Sequence, residues 1–387
     1  MRKELSAKVA SDVTAKRYCQ NANVPVLKIR FNLSPWEWWE DILAIALGKQ
    51  DTAIALLKAA LKDDAENEVY NFYHDEILSS RQLRLKKLAE AFKKGKCVVF
   101  LGPDILQVRN NNTTNSFNDI MCRELEETMK NAFIYYDANL ADNISYLAQC
   151  YADDPKSAPG EVAAIAADYY KTYLGQGLID DAVYNELAKL PLRLIINANP
   201  DDLLCTKLNA INNNSCRLKV YDISNSALSG TTEAGASASA GNGNSAAVPK
   251  VLQYNIFGIF THENSILYTE SQFLNFINSV ILGNPRLDPD VLRELEDQEN
   301  YFFLGFDFEQ WYFKILFQLF KIKKVQYASI SCGVDQSAQR ADNLSEKSSI
   351  SIYNREFFEQ EFKMFFVNDD IRSFLSDLKN LLQGNNP

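Results

Sequence analysis

Short apolar segments that alternate with helical patterns constrain this chain more than any other feature. The first segment is CVVFL at 97–101, which Gly102 follows at once. A short continuous apolar run is typical of a strand that is buried on both faces of a parallel sheet. Further runs of this kind are LRLIINA (192–198), RLKVYDI (217–223), KVLQYNIFGIF (250–260), YFFLGF (301–306), KVQYASIS (324–331) and SISIYN (349–354). The alternation predicts an α/β fold with a doubly wound, Rossmann-like parallel sheet that has helices on both faces.

The beginning of the chain lacks this alternation and favours helices. The segment SPWE at 34–37 matches a capping box with proline at the first helical position, so we expect a helix to begin there. Helical periodicity continues to residue 94, and only VPVLKIRF at 24–31 resembles a strand. We therefore predict a mainly helical N-terminal module at 1–94 and a Rossmann-type domain at 95–387.

One stretch of the second region has almost nothing to bury. Residues 224–249 consist mainly of Ser, Ala, Gly and Asn. Such a composition cannot form a packed core and is typical of a flexible surface loop. We therefore predict a flexible loop at 224–249 within the Rossmann-type domain.

Charge and cysteine content exclude several classes of protein. The net charge of −10 offers no excess of basic residues for neutralising phosphates, which argues against a nucleic-acid partner. The seven cysteines include no C-x-x-C pair, so we predict no metal site and reduced thiols. The chain shows neither the apolar core of a signal peptide nor an apolar stretch that could span a bilayer. We therefore predict a cytoplasmic protein without a membrane segment.

Taken in order, several segments of 95–385 resemble the sirtuin-like domain of bacterial NAD-consuming and defence proteins. CVVFLGPDIL resembles the first strand and its glycine loop, where the family has G-A-G-x-S. LRLIINANPDDLL resembles the segment that ends in T-T-N-x-D, which would place Asn199 and Asp201 on the family's Asn and Asp. KVLQYNIFGIF resembles the strand that carries the catalytic His-Gly, and YFFLGFDFEQ resembles a late strand with its glycine turn.

The resemblance implies an NAD site at the carboxyl ends of the strands. In the family, the Asn organises the nicotinamide ribose, and the His of His-Gly acts as the base. The pyrophosphate lies at a helix N-terminus, where free N–H groups attract anions. The positions that would contact the cofactor here are Gly102, Asp104, Asn199, Asp201, Gly258 and Gly305.

Three positions depart from the family pattern at this implied site. Pro103 has no N–H to donate, and Asp104 brings a negative charge to the expected phosphate position. Asp104 could instead cap the following helix, in the place that a phosphate would take. Phe257 stands where the family has its histidine, and a phenyl ring can neither accept a proton nor hydrogen-bond a ribose hydroxyl.

A replacement base has to come from two histidines, His74 and His262. His74 falls in the helical module, whereas His262 follows Phe257 by five residues. Strand alternation directs position 262 away from position 257 unless the chain turns first, which favours a surface or turn histidine. His262 and Asn199 are nevertheless the catalytic candidates.

Two functions remain open at this stage. The losses at 103, 104 and 257 favour a catalytically degenerate protein that acts as a binding or scaffold subunit, with a protein partner or as a homo-oligomer. The alternative is an NAD hydrolase of a bacterial defence system. NAD is the implied cofactor, but the same losses argue against its binding. The deacylase branch of the family is disfavoured because its zinc module needs paired cysteines.

Overall fold

The computed structural model describes most of the chain. It leaves undescribed residues 1, 23, 48–49, 111–112, 159, 213–215, 224–230, 235–250, 307–310, 321–324, 330–356, 359–360, 363, 368–370 and 385–387. In the part that it describes, no helix is both long enough and apolar enough to cross a membrane.

Five helices precede the sheet: α1 (Arg2–Lys8), α2 (Asp12–Asn21), α3 (Pro35–Leu47), α4 (Gln50–Asp63) and α5 (Glu68–Lys93). Only half of the predicted capping box forms at the start of α3: the Glu37 carboxylate accepts from the Ser34 backbone N–H at 3.1 Å, but the Ser34 hydroxyl donates to the same carboxylate at 2.6 Å and does not accept from the Glu37 N–H. Trp38 and Trp39 lie buried in the core that these helices share. The strand predicted at 24–31 is wrong, since this segment forms only a short 3₁₀ turn.

In the described residues, eight strands form one sheet. They are β1 (Cys97–Leu101), β5 (Leu194–Asn197), β6 (Cys216–Tyr221), β7 (Thr231–Ala234), β8 (Val251–Asn255), β9 (Asn300–Leu304), β10 (Val325–Ser329) and β11 (Met364–Val367). Their order is β11-β10-β9-β1-β5-β8-β6-β7, and all neighbours are parallel except β6 and β7. This is an α/β fold with a parallel sheet, consistent with a Rossmann-like fold.

Two sequence predictions concern segments that the structure describes only in part or not at all. The run at 349–354 lies wholly outside the described residues. Of the loop predicted at 224–249, the described part includes β7, whose residues pair with β6. The other predicted runs each contain a strand.

A small antiparallel sheet and nine helices of the described chain accompany the main sheet. The small sheet consists of β2 (Gln107–Asn110), β3 (Thr113–Ser116) and β4 (Ile179–Asp180). The helices are α6 (Phe117–Ala132), α7 (Ile144–Ala152), α8 (Glu161–Gly175), α9 (Ala182–Leu187), α10 (Leu203–Asn212), α11 (Glu270–Leu282), α12 (Pro289–Glu296), α13 (Trp311–Leu319) and α14 (Ile371–Leu382).

Alternate side chains of β1 enter two different hydrophobic clusters, because successive residues of a strand point to opposite faces. Val99 belongs to a cluster that contains residues of α5 to α10 and α14. Phe100 belongs to a second cluster, which contains residues of α11, α12 and α13. Helix α5 contributes Tyr70 to the N-terminal core and Phe92 to the first sheet cluster. The sheet is therefore buried on both faces in its centre.

Candidate functional site

The strand order places a topological switch between β1 and β9. From β1 the chain continues to β5 on one side, and it later returns to β9 on the other side. In parallel α/β sheets, ligands bind in the crevice outside the carboxyl ends of the strands at such a point. Gly102 follows β1 and Gly305 follows β9, so both predicted glycines lie at this switch. We call the side of the sheet where β1, β5, β6, β8 and β9 end the carboxyl edge.

The two loops at the switch contact each other directly. The backbone N–H of Gly102 donates to the Leu304 carbonyl at 2.7 Å, and that of Asp104 donates to the Gly305 carbonyl at 3.0 Å. A Cβ atom on Gly102 would lie 2.2 Å from the Gly305 oxygen and 2.7 Å from the Phe306 ring. Gly102 is therefore needed because the neighbouring loop approaches it, and the backbone groups that could cradle a phosphate are already hydrogen-bonded within the protein.

The segment after Gly102 does not begin an α-helix. Residues Pro103–Ile105 form a single 3₁₀ turn, and the β2–β3 hairpin follows before α6 begins at Phe117. The predicted helix cap at Asp104 is therefore wrong. The physical reason is that a hairpin follows Gly102, so the next α-helix begins only at Phe117. The positive end of its dipole is therefore not at the glycine loop.

Asn199 lies beside Gly102, as the sequence predicts for two positions at the ends of neighbouring parallel strands. Its side chain is buried, and the amide Nδ2 donates to the Gly102 carbonyl oxygen at 2.7 Å. Its backbone N–H donates to the Asn197 side-chain oxygen at 2.9 Å. The Asn199 amide thus joins the loops that follow β1 and β5.

Asp201 caps the helix that follows this loop. Its Oδ1 accepts from the Leu203 N–H at 2.9 Å at the start of α10, and the Tyr184 hydroxyl donates to Oδ2 at 3.0 Å. Burial raises the pKa of Asp201 to about 6, against the opposing effect of the Leu203 hydrogen bond. The carboxyl is therefore close to its titration midpoint in mildly acidic solution.

Three buried amides that the sequence analysis did not single out converge on the same loop. The Asp201 carbonyl oxygen accepts from Asn197 Nδ2 at 3.1 Å, Asn255 Nδ2 at 2.8 Å and Gln253 Nε2 at 3.3 Å. Asn197 and Asn255 are register partners on β5 and β8. The signal that could have revealed them is a polar residue inside the otherwise apolar runs LIIN and VLQYN, since a buried amide needs partners.

Phe257, at the position of the expected base, belongs to an aromatic cluster. It is buried, and its ring lies edge-on to those of Phe273, Phe276 and Tyr312, with centroids 5.0, 5.6 and 5.9 Å away. Gly258, which follows, has a φ of 89°, and a Cβ there would lie 2.2 Å from the Ser265 oxygen. Both residues thus have packing partners within the protein.

His262 lies in the tight turn that follows Gly258. Its N–H donates to the Ile259 carbonyl at 2.9 Å, and its own carbonyl accepts from the Ser265 hydroxyl at 2.6 Å. The side chain is 55% exposed, with Nε2 at 3.5 Å from Oδ2 of Asp222, whose side chain is 6% exposed. Asp222 directly follows β6, so this pair also lies at the carboxyl edge.

The donor groups of the site do not suit a metal ion. Within the described ranges, no group of three or more His, Cys, Asp or Glu side chains could hold one.

The charged candidate residues around the edge include Asp104, Asp201 and Asp222, which are all acidic. Carboxylates repel the phosphates of a nucleotide, most strongly where they are shielded from water.

Fold and site together define an α/β protein with a Rossmann-like parallel sheet, whose loops at the switch point are hydrogen-bonded to one another. No protein-family model matches the chain, and no curated protein matches it either.

Proposed function

We propose that this chain is a catalytically degenerate sirtuin-like protein, a doubly wound Rossmann domain that follows a helical N-terminal module. It acts in the cytoplasm as a binding or scaffold subunit, with a protein partner or as a homo-oligomer. The observation that supports this proposal best is the hydrogen bond from the Asn199 amide to the Gly102 carbonyl at 2.7 Å. The residue that would organise the nicotinamide ribose is already bonded inside the protein.

Binding of NAD would have to reorient this amide or use its remaining N–H and its oxygen. The Gly102 carbonyl also accepts from the Ile105 N–H at 3.1 Å, so the loss of the Asn199 contact would cost one of two hydrogen bonds, about 0.5–1.5 kcal/mol. The pyrophosphate would also need backbone N–H donors, and those of Gly102 and Asp104 already donate to the Leu304 and Gly305 carbonyls. A carboxylate at 104 adds repulsion. NAD remains the cofactor that the resemblance implies, and we expect it to bind weakly or not at all.

Catalysis would suffer a separate loss. Removal of a general base typically lowers the rate by about 10²–10⁴-fold. Phe257 cannot act as a base, and its ring packs against three aromatic neighbours. A histidine placed there would have to displace part of this cluster before it could reach a ribose.

The test is incubation of the purified chain with NAD, with release of nicotinamide followed by chromatography and binding by calorimetry. We expect neither activity nor binding. The variant Pro103→Ala/Asp104→Ser/Phe257→His restores a backbone donor and a base and removes a charge. Its affinity for NAD shows how far side chains of the protein occupy the site. Hydrolysis by the unmodified chain that Asn199→Ala abolishes would refute the proposal.

One observation favours a second candidate, an NAD glycohydrolase. An exposed imidazole beside a buried carboxylate, as in His262 and Asp222, is the arrangement that orients a histidine as a general base. Under this alternative, His262→Asn abolishes nicotinamide release, Asp222→Asn reduces it, and His74→Asn, the only other histidine, leaves it unchanged. If His262→Asn retained full activity, this candidate would be wrong.

A further inference from the structure

An open groove of about 690 Å³ lies between α9, α10 and α14. Its walls include Glu186, Lys189, Ile211, Arg372, Ser376 and Lys379. None of these residues belongs to the candidate site at the carboxyl edge.

The groove is positively charged in a chain whose net charge is −10. Three cationic side chains line it, Lys189, Arg372 and Lys379, against the single carboxylate of Glu186. Lys189 Nζ lies 2.5 Å from Glu186 Oε1, and Lys379 Nζ lies 3.7 Å from Oε2 of the same carboxylate. Because the two ammonium groups share one carboxylate, Glu186 neutralises only one of their two positive charges.

Arg372 is held in place by the Asp180 carboxylate, which also contacts Arg109. Its Nη2 lies 2.5 Å from Oδ2 of Asp180, and Arg109 Nη2 lies 2.8 Å from Oδ1. The Asp180 side chain is only 4% exposed, so a buried carboxylate fixes the guanidinium while half of the arginine side chain stays exposed. The four cations around Asp180 and Glu186 thus exceed the two carboxylates by two charges.

We propose that this groove binds a phosphorylated small molecule. Its phosphate dianion would match the excess of two positive charges, and Lys189, Arg372 and Lys379 supply charge-assisted donors for it. Ser376 adds a hydroxyl, and Ile211, whose side chain is 58% exposed, offers an apolar surface to the organic part. The proposal goes beyond the proposed function, because it needs neither NAD nor the carboxyl edge.

The test is calorimetry on the full chain at constant ionic strength, so that general screening does not change between titrations. The probes are glucose 6-phosphate, inorganic phosphate and uncharged glucose. We expect glucose 6-phosphate to bind more tightly than inorganic phosphate, and glucose not to bind. The Lys189→Ala/Lys379→Ala variant should weaken glucose 6-phosphate binding by about tenfold or more, because two of three cationic donors are lost.

Two further variants make the outcome decisive. Lys171→Ala removes an exposed lysine of α8, outside the groove, and should leave binding unchanged. Ser376→Glu adds a negative charge to the groove without removing an ion pair, so it should abolish binding even if the double variant proves unstable. The proposal is overturned if glucose 6-phosphate gives no heat, if Ser376→Glu binds it normally, or if hexaglutamate binds more tightly, since the groove would then be a peptide site.

Discussion

Replacement of Asp201 by Asn should make the protein more stable, and the gain should depend on pH. The pKa of this buried carboxyl is raised from its ordinary value of 3.8 to about 6. An Asn side chain can keep both contacts, because its oxygen can accept from the Leu203 N–H and its amide can donate to the Tyr184 hydroxyl oxygen. The substitution therefore removes the ionisation and retains the cap.

The direction in which the free energy of unfolding changes with pH follows from the number of protons that the folded and the unfolded chain bind. Between pH 3.8 and about 6 the folded chain holds a proton on Asp201 that the unfolded chain has released. The free energy of unfolding therefore falls as the pH rises through this window and stays constant above it. A shift of roughly two pKa units corresponds to about 3 kcal/mol, which is the upper limit of the contribution at pH 8.

Urea denaturation of both proteins at several pH values between 4 and 8 measures this contribution. The quantity to follow is the free energy of unfolding of Asp201→Asn minus that of the wild type, because the other titrating groups cancel in the difference. We expect it to rise by up to about 3 kcal/mol from pH 4 to pH 7. Asp297→Asn, at an exposed aspartate that follows α12, serves as the control and should show no such rise. A difference that stays constant across this range would show that burial does not hold a proton on Asp201.

Two further substitutions test the packing at the carboxyl edge. Gly102→Ala should destabilise the fold by about 1–3 kcal/mol or more, because the new Cβ would lie 2.2 Å from the Gly305 oxygen. Gly175→Ala, where the new Cβ would have nothing within 4 Å, is the control and should not destabilise it. Equal urea midpoints for the two variants would contradict the close approach at Gly102. Phe257→Ala should lower the free energy of unfolding by about 3–5 kcal/mol, because a buried ring is lost. Phe133→Ala, at a residue that is 95% exposed, is the control and should lower it little. If thermal unfolding showed a Phe257→Ala protein as stable as the wild type, the aromatic cluster would be loosely packed.

The order of strands and helices could be predicted because a strand buried on both faces is mostly apolar. The run CVVFL shows this directly, since all five residues of β1 are buried. The segment at 24–31, VPVLKIRF, is also rich in β-branched and aromatic residues but forms a 3₁₀ turn, with Leu27 fully exposed. A strand needs a neighbour to accept its hydrogen bonds, and the described residues before β1 include no other strand.

The candidate site could be predicted only in part. The sequence placed Gly102 and Asn199 together, because parallel strands end at the same edge. It did not reveal that Asn199 bonds to Gly102 itself, since the separation of two loops depends on the tertiary structure. Nor could it reveal the groove, whose cationic residues Lys189 and Arg372 come from positions far apart in the chain.

The three amides that point at the Asp201 carbonyl have a consequence for how this loop tolerates mutation. A carbonyl oxygen has two lone pairs, whereas Asn197, Gln253 and Asn255 offer it three donors within 3.3 Å. One donor is in excess, so the oxygen remains satisfied after the loss of any single amide. The arrangement is redundant for this oxygen, so the loss of Gln253 or Asn255 alone should leave the carbonyl hydrogen-bonded, whereas the loss of Asn197 would also remove the acceptor of the Asn199 N–H.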